Sequence, residues 1–512
     1  MPIALLAGLA ALPILAILVL MVGFRWSAAR SGAIGLLMTL AIAWFAFGYG
    51  TRVLPELGVA VATGGALAEA LFLALTILWI IFPALCIHEL QTRTGAIEVL
   101  RQAMGQLSED PRIVALLIAW FFVLFIEGAA GFGTSVALAA PFLVSAGFNR
   151  VEAVSIALVG HAVGVSFGAV GTPILPQMAV TPFTGLELAA VTANYHVLLG
   201  WIMPLVVMLL VSRAFPGGKP IGLTQWGWPI FAAAAFLLPF YLLATFIGPE
   251  LPTLAGALLG ALAFVVGLVM VRRRERQRGA GAATPGGAAL LRAAAPYLAL
   301  VALVLITRLI PPLRELLQGV TLSWSYAAFS GSMAVLYHPG TLLLLSFFAG
   351  ALIQRASPEA LKEAVGAVLG RLLPVTLALL AMLSLSRAMV HAGMIDTLAL
   401  AAAGATGGYW PLFAPFVGTL GTFVTGSATA SNILFTDFQQ ATAERLGMAP
   451  LPLLGAQGFG AAVGNIICPH NIVAASATVN LVGKEGEVLR RTLWVALLYA
   501  FLGGLLALLV FV

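Results

Sequence analysis

Apolar runs of 16 to 22 residues follow one another along this chain, separated by short connections that hold most of its charge. A helix needs about 20 apolar residues to cross the hydrocarbon core of a bilayer, and no other feature of the sequence limits the fold so strongly. Only 9% of the 512 residues are charged and 61% are apolar, whereas a soluble globular protein carries roughly 25% charged residues. So little polar surface cannot solvate so much apolar mass, which excludes a soluble multidomain enzyme. The same apolar content excludes disorder. The sequence predicts an all-α, multi-pass protein of the cytoplasmic membrane with roughly 11 to 14 spans.

The runs lie at 3–23, 31–50, 66–87, 111–126, 151–171, 194–212, 228–247, 252–271, 293–310, 338–353, 370–391, 409–425, 451–467 and 492–511. No basic residue precedes the first run, while Arg25 and Arg30 follow it. A cleaved signal has the opposite charge order, so the run is read as a retained helix with its N-terminus outside. Arg93, Arg101, Arg112 and the basic run 272–276 then fall on the cytoplasmic side. The net charge of +6 reports orientation, not nucleic-acid binding, because no basic stripe is interleaved with aromatics. Segment 272–292, basic and then rich in Gly and Ala, reads as a cytoplasmic linker between an N-terminal half, 1–271, and a C-terminal half, 293–512. Cys86 and Cys468 sit in apolar sequence as packing residues. Six scattered histidines without metal-ligand spacing predict no metal site.

Two stretches, 128–147 and 426–447, begin with dense small residues, continue apolar for about two turns and close at a glycine. Irregular backbone at membrane depth is tolerated only inside protein or beside a water-filled cavity, so both read as re-entrant hairpins or broken helices. They are related. Gly164, Gly168 and Pro173 recur 296 residues later as Gly460, Gly464 and Pro469, with His161 matched to Gln457. Gly128 pairs with Gly426 at an offset of 298, and Gly147 with Gly447 at 300. The shared unit predicts broken regions at 127–147 and 425–447, each followed by a helix that unwinds, at 160–174 and 456–472. Repeated, interrupted segments of this kind point to the binding site of a secondary transporter. Close helix packing through Gly-x-x-x-Gly is the alternative, but it leaves the polar content of the breaks unexplained.

Glu127 ends the apolar run 113–126. An acid at that depth must be paired, protonated or in contact with water, which makes it the leading candidate for proton coupling; a helix-end anchor is the alternative. Gly128, Gly131 and Gly133 expose backbone amides, and Thr134 and Ser135 add hydroxyls, as an anion site needs. The second break offers Ser427, Thr429, Ser431 and Asn432 as uncharged donors. Arg387 is an intramembrane arginine, read as a partner for a substrate carboxylate, a counter-ion to Glu127, or a side chain snorkelling near Asp396. His391 follows one turn later on the same face. His161 and His470 are candidate proton shuttles and Asp437 a secondary coupling candidate, while His88, His196 and His338 lie near span ends. Most charges fall in loops, which leaves Glu127 and Arg387 as the conspicuous exceptions. No nucleophile elbow, phosphate loop or dinucleotide fingerprint occurs, so no cofactor and no enzymatic activity are expected.

Across nearly its whole length the chain resembles the bacterial L-lactate permease family. The resemblance is carried by Glu127-Gly-Ala-Ala-Gly-Phe-Gly133, Phe167-Gly-Ala-Val-Gly-Thr-Pro-Ile174 and Ile247-Gly-Pro-Glu-Leu-Pro252 in the first half. In the second half, Thr425-Gly-Ser-x-Thr-x-Ser-Asn432 and Leu481-Val-Gly-Lys-Glu485 carry it. It implies proton-coupled uptake of lactate and related 2-hydroxymonocarboxylates such as glycolate. It also implies kinship with the ion transporter superfamily, with two inverted repeats, re-entrant hairpins and an elevator-like movement. The chain has Ala428 where relatives similar to the best-known permeases carry Asp, and Cys468-Pro-His-Asn471 where they have Ser-Pro-Gln-Ser. It has Gly160-His-Ala-Val163 in place of Asn-Thr-Ala-Pro, and they lack an arginine at the place of Arg387. A sodium-coupled carrier of another carboxylate or inorganic anion is the alternative, and a passive anion channel a further one. The expected partners are a small carboxylate, protons or sodium, and the bilayer, with a homodimer as an open assembly state.

Overall fold

The computed structural model describes residues 2–20, 24, 26–105, 108, 110–131, 133–214, 223–273, 287–481 and 484–511. Arg25, Phe132 and most of the expected linker lie outside the described residues, as do the side chains of Arg101 and Thr134. Ten helices among the described residues are long and apolar enough to cross a membrane, or 11 when the bent pair Gly185–Leu199 and Ile202–Ser212 counts as one span. This meets the lower end of the expected range. The runs near 3, 338 and 409 fold as helices of 16 residues each, Ile3–Leu18, Pro339–Gln354 and Trp410–Thr425. One antiparallel hairpin, Thr321–Tyr326 with Phe329–Ala334, departs from the all-helical expectation.

The order of elements repeats. A long helix, Gly58–Arg93, is followed by a short one, Ala96–Gly105, and by a helical hairpin with arms Pro111–Ala129 and Thr134–Ser145. A broken helix starting at Arg150 and a span starting at Gly185 complete the series. The second series runs Pro358–His391, Met394–Thr406, a hairpin with arms Trp410–Thr425 and Ala428–Arg445, a broken helix from Pro450 and a last span from Glu485. Each member starts close to 300 residues after its counterpart.

The two series run in opposite directions. Arg93 and Glu89 of the first long helix pair with Glu363 and Arg371 near the start of the second, while Glu69 meets His391 at its end. The broken helices are likewise antiparallel. Arg150, at the start of the first, donates to the Asn480 carbonyl beyond the end of the second, and Gln177, near the end of the first, donates to the Leu454 carbonyl near the start of the second. Because each hairpin leads directly into its broken helix, the hairpins enter from opposite ends of the molecule.

Glycine sets the closeness of this packing. A methyl group on Gly160 would stand 1.7 Å from the Ala119 carbonyl oxygen, and one on Gly460 2.0 Å from that of Pro415. Both glycines press a broken helix against the first arm of its hairpin, and Gly464 does the same on the Thr419 carbonyl. Counted from the helix starts, Arg150 and Pro450, Gly460 falls level with Gly160 at an offset of 300, whereas the contacted carbonyls Ala119 and Pro415 keep the 296 offset of the sequence pattern. The matched prolines do hold: Pro173 and Pro469 both open the second segment of a broken helix. The whole apolar window of Arg150–Val180 is buried, against 39% in a peripheral span such as Pro252–Val271, so its unwound backbone is shielded from lipid.

Candidate functional site

Both hairpin tips meet both helix breaks near the centre of the molecule. The first tip turns through Gly131 and Gly133, at φ 59° and 75°. The second turns through Gly426, at φ 77°, and Ser427 caps the following arm by accepting from the Ala430 amide. The first broken helix leaves the α conformation at Ala162 and carries Ala169, Val170 and Gly171 in succession at positive φ, 42°, 55° and 79°. A left-handed Val is strained, and such backbone persists only where its surroundings impose it. The second helix breaks over residues 465–468, ahead of Pro469.

These elements enclose an inner cavity lined by Glu127, Gly131, Thr172, Ser427, Thr429 and Asn465 among others. Glu127 is the one charged side chain among the described lining residues. It is 4% exposed, its Oε2 accepts a 2.7 Å hydrogen bond from Ser135, and its Oε1 packs against Gly168, where a methyl group would come within 2.5 Å. Asn465 faces the cavity from the second break and accepts from Asn471 Nδ2. The cavity volume is about 20 Å³, room for about one water molecule. A ligand of several heavy atoms enters only if a hairpin tip moves.

The expected site residues divide into three groups. Glu127, Gly131, Ser427 and Thr429 line the cavity, with Ser135 behind Glu127 and Gly133 against Asn471. A second group holds the frame. Gly128 packs on the Leu254 backbone of the helix Pro252–Arg273, Ser431 donates to the Gly418 carbonyl, and Asn432 donates across to the Pro173 carbonyl. His161 is buried in the first broken helix, its Nδ1–H donating to the Leu158 carbonyl at 2.7 Å, and His470 is exposed beside the second tip, packed on Gly426. The third group is remote. Arg387 pairs with Asp437, not with Glu127 or Asp396, and His391 pairs with Glu69 at 2.6 Å. Both contacts sit where the second long helix packs on its neighbours, and they tie Arg387 to the second hairpin.

Several residues escaped the sequence reading. His196 is fully buried, with Nε2–H donating to Ser166 in the first break at 2.8 Å and Nδ1 accepting from Tyr499 at 3.4 Å. Ser166 in turn donates to the Gly458 carbonyl of the second broken helix. Glu250 and Arg308 form a buried pair at 2.6 Å, so Glu127 and Arg387 are not the only charges drawn inside. The Glu250 motif carries part of the family resemblance, yet nothing in its local sequence points to Arg308, 58 residues away.

A family profile described as L-lactate permease matches residues 7–333 and 320–512. The L-lactate permease of Streptococcus iniae is 32% identical over 455 residues, covering 87% of this chain and 92% of that one. The glycolate permease GlcA of Escherichia coli K12 is 27% identical, covering 98% of this chain and 95% of its own. Among solved structures, the YdaH transporter of Alcanivorax borkumensis shares the fold with a TM-score of 0.52 at 14% identity, over 93% of this chain and 97% of that one.

Proposed function

Because the chain belongs to the L-lactate permease family, we propose that this multi-pass cell-membrane transporter is a proton-coupled symporter of lactate, glycolate and related 2-hydroxymonocarboxylates. The observation that carries the coupling is Glu127, the one charged side chain among the described residues lining the inner cavity. A substrate carboxylate closed into that space lies beside the Glu127 carboxyl with no fixed cation to offset it. Two carboxylates in close contact do not both ionise, so the substrate enters with a proton on the pair. Thr429, Ser427 and Asn465 supply uncharged polar groups for the carboxylate and the 2-hydroxyl. On release the substrate leaves as the anion and Glu127 discharges the proton to the same side, with Ser135 donating to the ionised carboxylate.

The antiparallel broken helices and hairpins support two inverted repeats, with either tip opening the cavity toward its own face. Uptake by purified protein in liposomes, under imposed pH and sodium gradients with labelled L-lactate and glycolate, tests the reading. Accumulation is expected with an inward proton gradient at zero sodium. Accumulation that requires sodium at fixed pH rejects proton coupling, and no uptake of either acid rejects the substrate class.

A further inference from the structure

A second cavity, of about 270 Å³, lies on the far side of the unwound segment, between the β-hairpin and the two long helices. Val170, Gly171, Leu175 and Pro176 line it, whereas Gly168, Ala169, Thr172 and Pro173 line the inner one, so residues 168–176 wall both. Exposed Ser332 stands in its lining and Arg387 deeper within. Of the two lining arginines, Arg308 uses both terminal nitrogens: it pairs with Glu250, donates twice to the Tyr337 carbonyl and stacks on the Tyr337 ring at 3.5 Å. Arg387 is 7% exposed, it spends Nη2 on Asp437 and Ser386, and its Nε is buried without a partner among the described residues. Asp437 is not part of the cavity wall.

A buried guanidinium with an unused N–H is costly unless an acceptor reaches it. Leu73, Ile77 and Leu383 make the neighbouring wall apolar, which suits the carbon end of a short acid. We infer that this outer cavity is a second binding site for a small monocarboxylate, held by Arg387, where the substrate docks before passing the unwound segment. The ligand class rests on the transport function proposed above; the site itself rests on Arg387 and the cavity.

Ser332→Cys places a thiol in the lining, and the native Cys86 and Cys468 are both buried, so background labelling is low. In intact cells, saturating L-lactate is expected to slow alkylation of this thiol by a membrane-impermeant maleimide at least fivefold. Adding Asn465→Ala, an inner-cavity change, should raise the KM for uptake and leave that protection in place. The pair Arg387→Gln with Asp437→Asn removes both charges, so that no acid is left stranded; it should fold, as judged by size exclusion, and lose the protection. No protection by L-lactate overturns the second site whatever uptake does. So does protection that vanishes with Asn465→Ala or survives in the folded double variant. An unchanged KM in Asn465→Ala instead counts against the inner site and leaves the outer one standing.

Discussion

Replacing Glu127 by Gln keeps the shape of the side chain and its reach to Ser135 while removing the ionisable group from the inner cavity. The magnitude follows from the closeness of the space. A substrate carboxylate about 5 Å from an ionised Glu127, at an effective dielectric constant of about 20, is repelled by about 3 kcal/mol. That is a factor of roughly 150 in affinity between the protonated and ionised forms of the carrier. In the wild-type protein the apparent Kd for L-lactate therefore rises with pH, by up to tenfold per unit once Glu127 is mostly ionised, until the weaker limit is reached. In Glu127→Gln the rise is absent, because the cavity is neutral at every pH. Equilibrium binding of labelled L-lactate to purified protein from pH 5.5 to 8.5 measures both curves. The same variant in liposomes should catalyse counterflow exchange but fail to accumulate lactate against its gradient when only a pH difference is imposed. A variant whose binding keeps the wild-type pH dependence, or that still accumulates lactate on a pH gradient, refutes the coupling role.

Thr429→Val and Asn465→Ala each remove one polar group from the inner lining; loss of a hydrogen bond to a charged ligand, about 1.5–3 kcal/mol, should raise KM by roughly 10- to 100-fold in initial-rate uptake. An unchanged KM for both would move the substrate elsewhere. Gly460→Ala forces a methyl group to 2.0 Å from the Pro415 carbonyl and should cost about 1–3 kcal/mol or more, read as a lower Tm in detergent. Gly404→Ala, with nothing within 4 Å, is its control and should hold or raise the Tm. Glu250→Ala strands the buried Arg308 guanidinium and should cost about 3–5 kcal/mol, with Glu250→Leu plus Arg308→Met recovering most of it. Equal Tm values for the single and double variants would show that the stranded guanidinium carries no penalty.

What was legible in the sequence was local. The hairpin tips and breaks announced themselves because left-handed backbone needs glycine, and Gly131, Gly133, Gly147, Gly426 and Gly447 all carry positive φ. Glu127 stood out because nothing else charged interrupts its run. The repeat register changes across the break: Gly147 and Gly447 and the helices they lead into correspond at 300, the prolines leading out at 296. The first broken helix stays irregular over more residues than the second, 162–174 against 465–468, so no single offset aligns both sides of the break. Partnership was not legible. Arg387 finds Asp437 50 residues away and His391 finds Glu69 322 residues away, across helix contacts that no periodicity encodes. His196 read as a span-end residue, because its bond to Ser166 exists only once the first broken helix has unwound.

A wall only one chain thick separates the two cavities, and part of it, Ala169 to Gly171, is held in left-handed backbone. Thermodynamic reciprocity governs such a partition. A ligand that reshapes the wall from one side changes affinity on the other by some factor, and binding on that other side must return the same factor. Lactate saturation of this protein is then a two-site isotherm with a single coupling constant. The backbone at Val170, and not any side chain that touches the substrate, is the place where that constant can be tuned.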